Sequence, residues 1–500
     1  MRNFSLRSLF QVHTACFTNL YPVFKKTVKN FIFSQPDVSR RQFLGDCGKM
    51  TGIGAMASIL NLSLTGKVLA ARASGSITDY KGLVCIFLGG GNDSFNMLTP
   101  GVADYANYTQ YRGVVARPAL ESFNVVDQSN GLDYHVHSSM ANTRNMFTAG
   151  DLSYVANVGT LHEPMTMHEY RTGAKKRPFG TFSHYDQRRQ WQNSLPREKG
   201  GAIAGTGWVG RMSEVLNDAA NNNAIVNANM SPGGRNILQT SRTQSPLPLV
   251  GGANPLDHYL ENVDVKTAMD ADLEHLYSGV LHNHYNHMRK EAVLNNNDLV
   301  SVEENTVINT PFPTSNIGNQ LLRVLKYISA QGPDQLGANR QTFYVNFGGF
   351  DMHRGVTVRL APKLEVLNDA LHAFNEGLKE IGYHDRVVTY TASDFGRSLA
   401  PNTTGTDHGW GGNQIIMGGP VNGGRVFGTY PEMARGGSTD IGRGRQLPTT
   451  SIDELHASIA YWFGVNNDNE METILPNIRN FWAAGAAEQA IPELFDPNFI

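Results

Sequence analysis

The chain has 500 residues, and 40% of them are hydrophobic, so it is long enough to bury one large core or two smaller ones. Its 42 lysines and arginines nearly balance its 44 aspartates and glutamates, and the formal net charge is -2. This balance excludes the strongly basic character of nucleic-acid-binding proteins, so we expect no nucleic acid partner.

The first part of the chain has the pattern of an export signal. Ser39–Leu44 reads SRRQFL, a mildly apolar stretch follows at Thr51–Leu64, and Ala71–Ala73 offers a small-x-small cleavage site. The alternative is a chance arginine pair at the start of a helix. The pattern predicts a twin-arginine signal peptide with an extended first region over 1–73, which the twin-arginine translocase would carry.

A periplasmic or extracellular location follows from that prediction. The apolar stretch Thr51–Leu64 is too short to cross a bilayer, so we expect no stable membrane span after cleavage. Cys16 and Cys47 both precede the cleavage site, which leaves Cys85 as the remaining cysteine. We therefore expect no disulfide within the mature protein.

Apolar runs alternate with amphipathic segments along the mature chain, 74–500. The predicted strands are Leu83–Leu88, Leu152–Val158, Thr342–Phe347, Val387–Ala392 and Gln414–Met417. The predicted helices are Ser138–Phe147, His184–Trp191, 264–293, Gly318–Ala330, Pro362–Ile381 and Ile452–Phe463. The segment 220–262, rich in Asn, Gly, Ser and Pro, is expected to be an inserted loop or a small cap. This order predicts a single large α/β domain, with a mostly parallel sheet and helices on both faces.

Acidic and histidine residues follow three of these strands. Because the carboxyl ends of parallel strands meet at one edge of a sheet, these residues are expected to share one site. Carboxylate and imidazole ligands suit a divalent metal such as Zn, Mn, Mg or Ca. The expected metal ligands are Asp93, Asp351, His353, Asp394 and His408.

Each of these residues also has a simpler interpretation. Asp93 follows a glycine triplet and could cap a turn. Asp351 and His353, two residues apart, could form a loop salt bridge instead of reaching one ion. His408 lies in a Gly/Thr-rich loop that could be a surface turn, and Asp407 could orient His408 as a hydrogen-bond partner.

The candidate catalytic residues are Ser183 and Arg397. Ser183 precedes a predicted helix, where free N–H groups favour an anion, although a plain N-cap has the same pattern. Thr160 is the reserve nucleophile. If a helix begins near Asp394, Arg397 lies one turn further on, where it could grip a phosphate or sulfate or pair with Asp394.

Several of these motifs resemble the bacterial domain-of-unknown-function family 1501. The matching stretches are Phe87–Pro100, Gly348–His353, Ser393–Arg397, Thr406–Gly424 and Gly442–Trp462. The resemblance implies a fold like that of the alkaline phosphatase and sulfatase superfamily, in which Asp and His residues hold one or two metals beside a nucleophile. It implies the order Asp93, nucleophile, Asp351 with His353, Asp394, then Asp407 with His408.

This sequence departs from the superfamily pattern at two points. The middle pair is Asp-x-His, and Phe395 stands where a ligand histidine is usual, which leaves a second metal short of one ligand. The family's own activity is unsettled, so it supplies none here. From the export signal and the acidic and histidine residues at the strand ends, we expect an exported, metal-dependent hydrolase of phosphate or sulfate esters, with a small-molecule or polysaccharide substrate. The alternative is a non-catalytic exported binding or assembly protein on the same fold.

Overall fold

The structure is a computed structural model, and it describes residues 77–118, 122–198, 203–221, 224, 226–249, 263–275, 285–286, 290, 298–482 and 490–500. The predicted signal peptide, 1–73, lies outside the described residues, as does 250–262 of the predicted loop or cap. In the part that is described, no helix is both long and apolar enough to cross a membrane.

The described strands have the following bounds. They are β1 (Lys81–Leu88), β2 (Leu98–Pro100), β3 (Ser122–Val126), β4 (Asp133–His137), β5 (Leu152–Gly159), β6 (Asn229–Ser231), β7 (Leu247–Pro248), β8 (Arg340–Asn346), β9 (Val387–Ser393), β10 (Arg397–Asn402), β11 (Gly405–His408), β12 (Gly412–Met417), β13 (Val426–Phe427) and β14 (Thr450–Ser451). The five strands predicted from apolar runs correspond to β1, β5, β8, β9 and β12.

The α-helices are α1 (Ser94–Met97), α2 (Val102–Arg112), α3 (Ala141–Ala149), α4 (Met167–Thr172), α5 (His184–Asn193), α6 (Trp208–Ala220), α7 (Val263–Glu274), α8 (Asn316–Ser329), α9 (Val356–Glu380), α10 (Ile452–Phe463) and α11 (Asp468–Ile474). Short 3-10 helices occur at Gly113–Val115, His384–Arg386, Ile478–Asn480 and Pro497–Phe499.

A nine-stranded sheet forms the centre of the fold. Its order is β13-β5-β12-β9-β1-β8-β6-β7, and β14 also pairs with β5. Most pairings are parallel, whereas β12 runs antiparallel to both of its neighbours. The α/β fold with a mostly parallel sheet is therefore confirmed. Strands β6 and β7, from the segment predicted as a loop or cap, extend one edge of this sheet.

Helices cover both faces of the sheet, as the alternation of side chains along β1 shows. Val84 and Ile86 pack in a hydrophobic cluster with α8 and α9, whereas Leu83, Cys85 and Phe87 pack in another cluster with α6 and α10. Successive side chains of a strand point to opposite faces, so the two clusters lie on opposite sides of β1.

The register of the central strands brings three strand ends together. Phe87 of β1 pairs with Asn346 of β8, and Leu88 pairs with Ser393 of β9, in both cases in parallel. The residues that follow these strands therefore emerge side by side at one edge. A separate hairpin of β10 and β11 pairs Arg397 with His408 and adds two further residues to that edge.

One local prediction near this edge was wrong. Asp407 and His408 belong to the short strand β11, not to a loop. The condition under which Arg397 would lie one helical turn beyond Asp394 is not met either, because a strand begins at Arg397. Strands β10 and β11 form because they pair with each other in an antiparallel hairpin. The local sequence of either segment does not predict this, since the pairing depends on a partner several residues away.

Candidate functional site

Glycines allow the loops after β1 and β8 to touch. Gly90 has a φ of +116°, and a Cβ atom there would lie 2.5 Å from the Asp351 nitrogen. The N–H of Gly90 donates to Oδ2 of Asp394 at 2.8 Å, which ties the end of β1 to the end of β9. The backbone therefore places Asp351 and Asp394 around a position where a side chain would not fit.

Asp351, His353 and His408 form the centre of a polar cluster at this edge. Nε2 of His353 lies 3.0 Å from Oδ1 of Asp351 and 3.0 Å from Nε2 of His408. Nε2 of His408 lies 3.5 Å from Oδ1 of Asp351. Side chains of Asp351 and His353 are each 43% exposed, so the cluster is open to solvent.

His184, the first residue of α5, completes the cluster. Its Nδ1 lies 2.8 Å from Oδ2 of Asp394, and its Nε2 lies 3.5 Å from Oδ2 of Asp351. The ring also contacts Phe395 and His408, with centroids 4.7 Å and 4.4 Å away. Sequence reasoning did not select His184 as a ligand, although its place next to Ser183, at the start of a helix, was a usable signal.

Arg397 lies behind Asp351 and is fully buried. Its Nη1 donates to Oδ1 of Asp351 at 2.8 Å, its Nε donates to Oγ1 of Thr406 at 3.1 Å, and its Nη2 donates to the Thr406 carbonyl. The charged partner of Arg397 is thus Asp351, not Asp394. The predicted grip of Arg397 on a phosphate or sulfate stays a prediction.

These contacts shift the pKa values of two residues. Burial raises the pKa of Asp351, but the hydrogen bond and charge of Arg397, together with His353 and His184, outweigh burial and hold that pKa below its usual value. Burial lowers the pKa of His408, and the nearby charges of His184 and Arg397 act in the same direction. The cluster therefore favours an ionised carboxylate beside a neutral imidazole, and both are competent to donate electron pairs.

Asp407 lies beside this cluster, but its contacts differ from the expected ones. Its Oδ1 lies 3.4 Å from Nδ1 of His353 and accepts a hydrogen bond from Asn402, while its Oδ2 pairs with Arg443 at 2.7 Å. The residue that Asp407 is placed to orient is therefore His353. Nδ1 of His408 instead lies 2.8 Å from the Phe182 carbonyl.

Asp93 makes its side-chain contacts elsewhere. Its Oδ2 forms a buried ion pair with Arg112 and also accepts from Asn96 at 3.1 Å. Its Oδ1 is buried without a hydrogen-bond partner. The triplet Gly89–Gly91 does bring the backbone close to the cluster. The carboxylate of Asp93, however, pairs with Arg112 of α2, which lies further along the chain.

The two candidate nucleophiles differ in accessibility. Ser183 is the N-cap of α5, and its hydroxyl accepts a hydrogen bond from the Asp186 nitrogen at 3.3 Å. Its neighbours Phe182 and His184 both contact the cluster, so the backbone at Ser183 runs beside it. Thr160 is fully buried and its hydroxyl donates to Gln187 at 2.6 Å, which places it inside the core.

The donor set fits a divalent metal. One ligand atom from each of His184, Asp351 and His408 lies within 4.8 Å of the others. Nε2 of His184 is buried and makes no hydrogen bond; it lies 3.5 Å from Oδ2 of Asp351. Two imidazole nitrogens and a carboxylate oxygen are typical ligands of zinc and similar ions. His353 touches Asp351 and His408 and lies beside this group of three.

The fold and this cluster define an α/β protein with a histidine-carboxylate site at the carboxyl edge of its sheet. Residues 335–495 match the model of the family described as "Protein of unknown function (DUF1501)". The match confirms the resemblance to that family over a segment that contains Asp351, His353, Asp394 and His408. No curated protein matches the chain in sequence.

Solved structures that are similar to the chain have low sequence identity. A sulfatase from Pseudoalteromonas sp., PsFucS1, has 9% identity over 88% of this chain and 76% of its own, with a TM-score of 0.34. Ps i-CgsB, solved in complex with k-i-k-neocarrahexaose, has 10% identity over 81% of this chain and 77% of its own, with a TM-score of 0.33. A variant of the alkaline phosphatase PafA has 8% identity over 65% and 64%, with a TM-score of 0.27. At such low TM-scores these likenesses carry no argument about activity.

Proposed function

We propose that the protein is a metal-dependent hydrolase of phosphate or sulfate esters. The observation that carries the proposal is the convergence of His184, Asp351 and His408 on one point beside a buried arginine. A solvent-exposed edge that combines such donors with glycine-rich backbone is a common setting for ester hydrolysis at a metal. The substrate would be a small-molecule or polysaccharide ester.

His184, Asp351 and His408 would hold the ion, and His353 would add a fourth donor. When bound, the ion would polarise an ester oxygen and offset negative charge on the transferring group. Asp394 fixes the ring of His184 through Nδ1, and Arg397 fixes the carboxylate of Asp351. The side chain of His353 is 43% exposed, so this part of the cluster is accessible to solvent.

Attack on the ester would come from water or from the hydroxyl of Ser183. The position of Ser183 between Phe182 and His184, beside the cluster, supports its hydroxyl as the nucleophile. The same hydroxyl caps α5, which supports water as the nucleophile instead. Arg397 acts in this proposal through Asp351, because its nitrogen atoms are directed at protein oxygens. Its charge would still lower the energy of an anionic transferring group nearby.

Export belongs to the same proposal. A twin-arginine signal over 1–73 would deliver the domain 74–500 to the periplasm or the exterior. The test is the size and location of the chain in cells with and without a functional twin-arginine translocase. Full-length protein retained in the cytoplasm under both conditions would contradict export.

A non-catalytic binding or assembly protein is the alternative function. Phe395 packs 4.5 Å from the ring centroid of His408, which makes one wall of the cluster apolar. The Ser183 hydroxyl is also engaged as a helix cap. Both features are compatible with a site that binds a ligand and performs no chemistry.

Turnover of simple esters distinguishes these two functions. Aryl phosphate monoesters, phosphate diesters and sulfates would be assayed with Zn, Mn, Mg and Ca, using wild type, Asp351→Ala, Ser183→Ala and the control Asp385→Ala. Asp385 is exposed and lies just before the first residue of β9, so it is at the opposite end of that strand from Asp394. Hydrolysis that is abolished by Asp351→Ala and retained by Asp385→Ala is expected.

The response of Ser183→Ala assigns the nucleophile. Loss of turnover with retained stability would support Ser183, and retained turnover would support water. If no ester is hydrolysed by wild type with any of these metals, the hydrolase proposal fails and the binding function remains.

A further inference from the structure

Arg188 reaches the same sheet edge as His184. The two residues are four positions apart on α5, so they share one helix face. The guanidinium of Arg188 lies 4.9 Å from the Phe87 ring centroid, and its Nη2 is 3.4 Å from Oδ1 of Asn346. The side chain is exposed, and within the part of the chain that the structure describes it has no carboxylate partner.

Lys363 approaches this edge from the other face of the sheet. It belongs to α9, and its Nζ donates to the Gly348 carbonyl at 2.6 Å and lies 4.5 Å from the Phe347 ring centroid. Burial lowers the pKa of Lys363, and the charge of Arg359 lowers it further, so a third cation stands nearby. Among the described residues, Lys363 also lacks a carboxylate partner.

Glycines lie between these two cations; Gly348 and Gly349 are exposed, whereas Gly89 is buried. A Cβ atom on Gly89 would lie 3.8 Å from Nη2 of Arg188 and 3.6 Å from Cα of Gly348. A Cβ atom on Gly349 would lie 2.8 Å from Nζ of Lys363. The glycines themselves add no side chain between the two charges, although Oδ1 of Asn346 would also lie 3.8 Å from a Cβ atom on Gly89. Asp351 follows Gly349 two residues later.

We infer that Arg188 and Lys363 form a second anion subsite, which takes an additional phosphate or sulfate group on the ester substrate. The inference rests on the proposed function for the position of the first anionic group, next to His184 and Asp351. Arg188 and Lys363 contact only neutral protein oxygens in the hydrogen bonds given above, so their charges remain available to an anionic ligand beside the exposed Gly348 and Gly349. The preferred substrate is thus a multiply phosphorylated or sulfated small molecule or saccharide.

Paired ligands that differ by one charged group test this inference. Calorimetric titration would compare myo-inositol 1-phosphate with myo-inositol 1,4-bisphosphate, and glucose 6-sulfate with glucose 3,6-disulfate. The proteins would be wild type, Arg188→Gln, Lys363→Gln, the double variant, the charge-retaining Arg188→Lys and the control Arg386→Gln. Arg386 is an exposed arginine over an aromatic ring, Tyr383, at the opposite end of β9.

Wild type should bind the doubly charged member of a pair about tenfold more tightly than the singly charged member, since an exposed ion pair contributes a few-fold each. The double variant should lose most of that preference, each single glutamine variant part of it, and Arg188→Lys and Arg386→Gln little. A preference confined to the phosphate pair or to the sulfate pair would identify which group the subsite takes.

The subsite would be overturned by a wild type without preference for the doubly charged ligands, or by a preference that the double variant keeps. Equal loss in Arg386→Gln would also overturn it, because the effect would then come from net charge alone. Release of inorganic phosphate or sulfate would be measured in parallel. If no phosphate or sulfate is released, but the preference for doubly charged ligands still depends on Arg188 and Lys363, the hydrolase proposal is contradicted and the subsite is supported.

Discussion

His184 can offer Nε2 to a ligand only while its proton is on Nδ1. The 2.8 Å contact between Nδ1 and Oδ2 of Asp394 favours that tautomer, because the carboxylate accepts the proton's hydrogen bond. Asp394 is nearly fully buried and also accepts from the Gly90 N–H, so its own position is fixed. Asp394 is therefore best understood as the residue that positions His184.

Removal of this carboxylate should weaken metal binding without unfolding the protein. We expect Asp394→Ala to lower the affinity for Zn²⁺ by about 10- to 100-fold, the usual effect of losing a hydrogen-bond partner of a ligand histidine. Asp394→Asn should restore part of the affinity, because its amide oxygen can accept from Nδ1. Competition with a chelator measures this, with Asp385→Ala as control. Equal affinities in all four proteins would contradict the role of Asp394.

The capping role of Ser183 can be measured by stability, apart from any catalytic role of its hydroxyl. Ser183→Ala removes the hydrogen bond to the Asp186 nitrogen and should lower the free energy of unfolding by about 1 kcal/mol. Ser183→Asn keeps a capping oxygen but has no hydroxyl, so it should retain stability. Denaturant unfolding of both variants is the measurement. An alanine variant as stable as wild type would show that the cap contributes nothing.

At the scale of the elements, the site depends on the close approach of the loops after β1 and β8. Gly90→Ala would place a methyl group 2.5 Å from the Asp351 nitrogen, whereas a methyl group on Gly131, also at positive φ, would have nothing within 4 Å. The positive φ lowers the free energy of unfolding of both alanine variants by about 1 kcal/mol. Only Gly90→Ala must in addition displace the backbone at Asp351.

We therefore expect Gly90→Ala to lose about 1–3 kcal/mol more stability than Gly131→Ala, the usual range for overpacking. Thermal and denaturant unfolding of the two variants test this. Equal destabilisation of the two variants would mean that the loops after β1 and β8 separate easily, contrary to the contacts described above.

The sequence predicts the central strands because their apolar runs end at glycine or polar residues. The strands predicted at Leu83, Thr342 and Val387 correspond to β1, β8 and β9, and their parallel direction follows from the alternation with helices. Asp351, Asp394 and His408 accordingly lie together at one edge. Helix and strand periodicity therefore accounts for the edge at which the site forms.

What the sequence does not provide is the pairing of side chains across long separations. Asp93 follows β1 as Asp394 follows β9, yet its carboxylate pairs with Arg112 of α2. His184 reaches the cluster because α5 begins beside the end of β9, a tertiary contact that no local pattern encodes. Arg397 pairs with Asp351 because β10 turns back as a hairpin.

At the scale of the whole molecule, one buried carboxyl group should make stability depend on pH. Asp453 in α10 is fully buried, and burial raises its pKa to about 7, against the smaller opposing effects of Asn477 and Ser451. A carboxyl with a raised folded pKa stabilises the fold below its unfolded pKa of about 4. That contribution is lost as the pH rises through 7.

The free energy of unfolding of wild type should therefore fall between about pH 4 and pH 7 relative to that of Asp453→Asn, which cannot ionise, and this difference should stay level above pH 7. Urea unfolding of the two proteins across this range is the measurement, and Asp385→Asn, at an exposed position, serves as control. Parallel pH profiles for wild type and Asp453→Asn would show that Asp453 does not titrate in this range.

His184, Asp351 and His408 are proposed to hold one divalent metal ion. Elemental analysis of protein purified without chelators measures that ion, and the thermal midpoint is recorded before and after EDTA. The claim fails or stands on these two readings. The claim predicts a stoichiometric divalent ion in wild type, a lower midpoint after EDTA, and loss of the ion in His184→Ala and His408→Ala. Absence of stoichiometric metal, together with a midpoint that EDTA does not change, would contradict it.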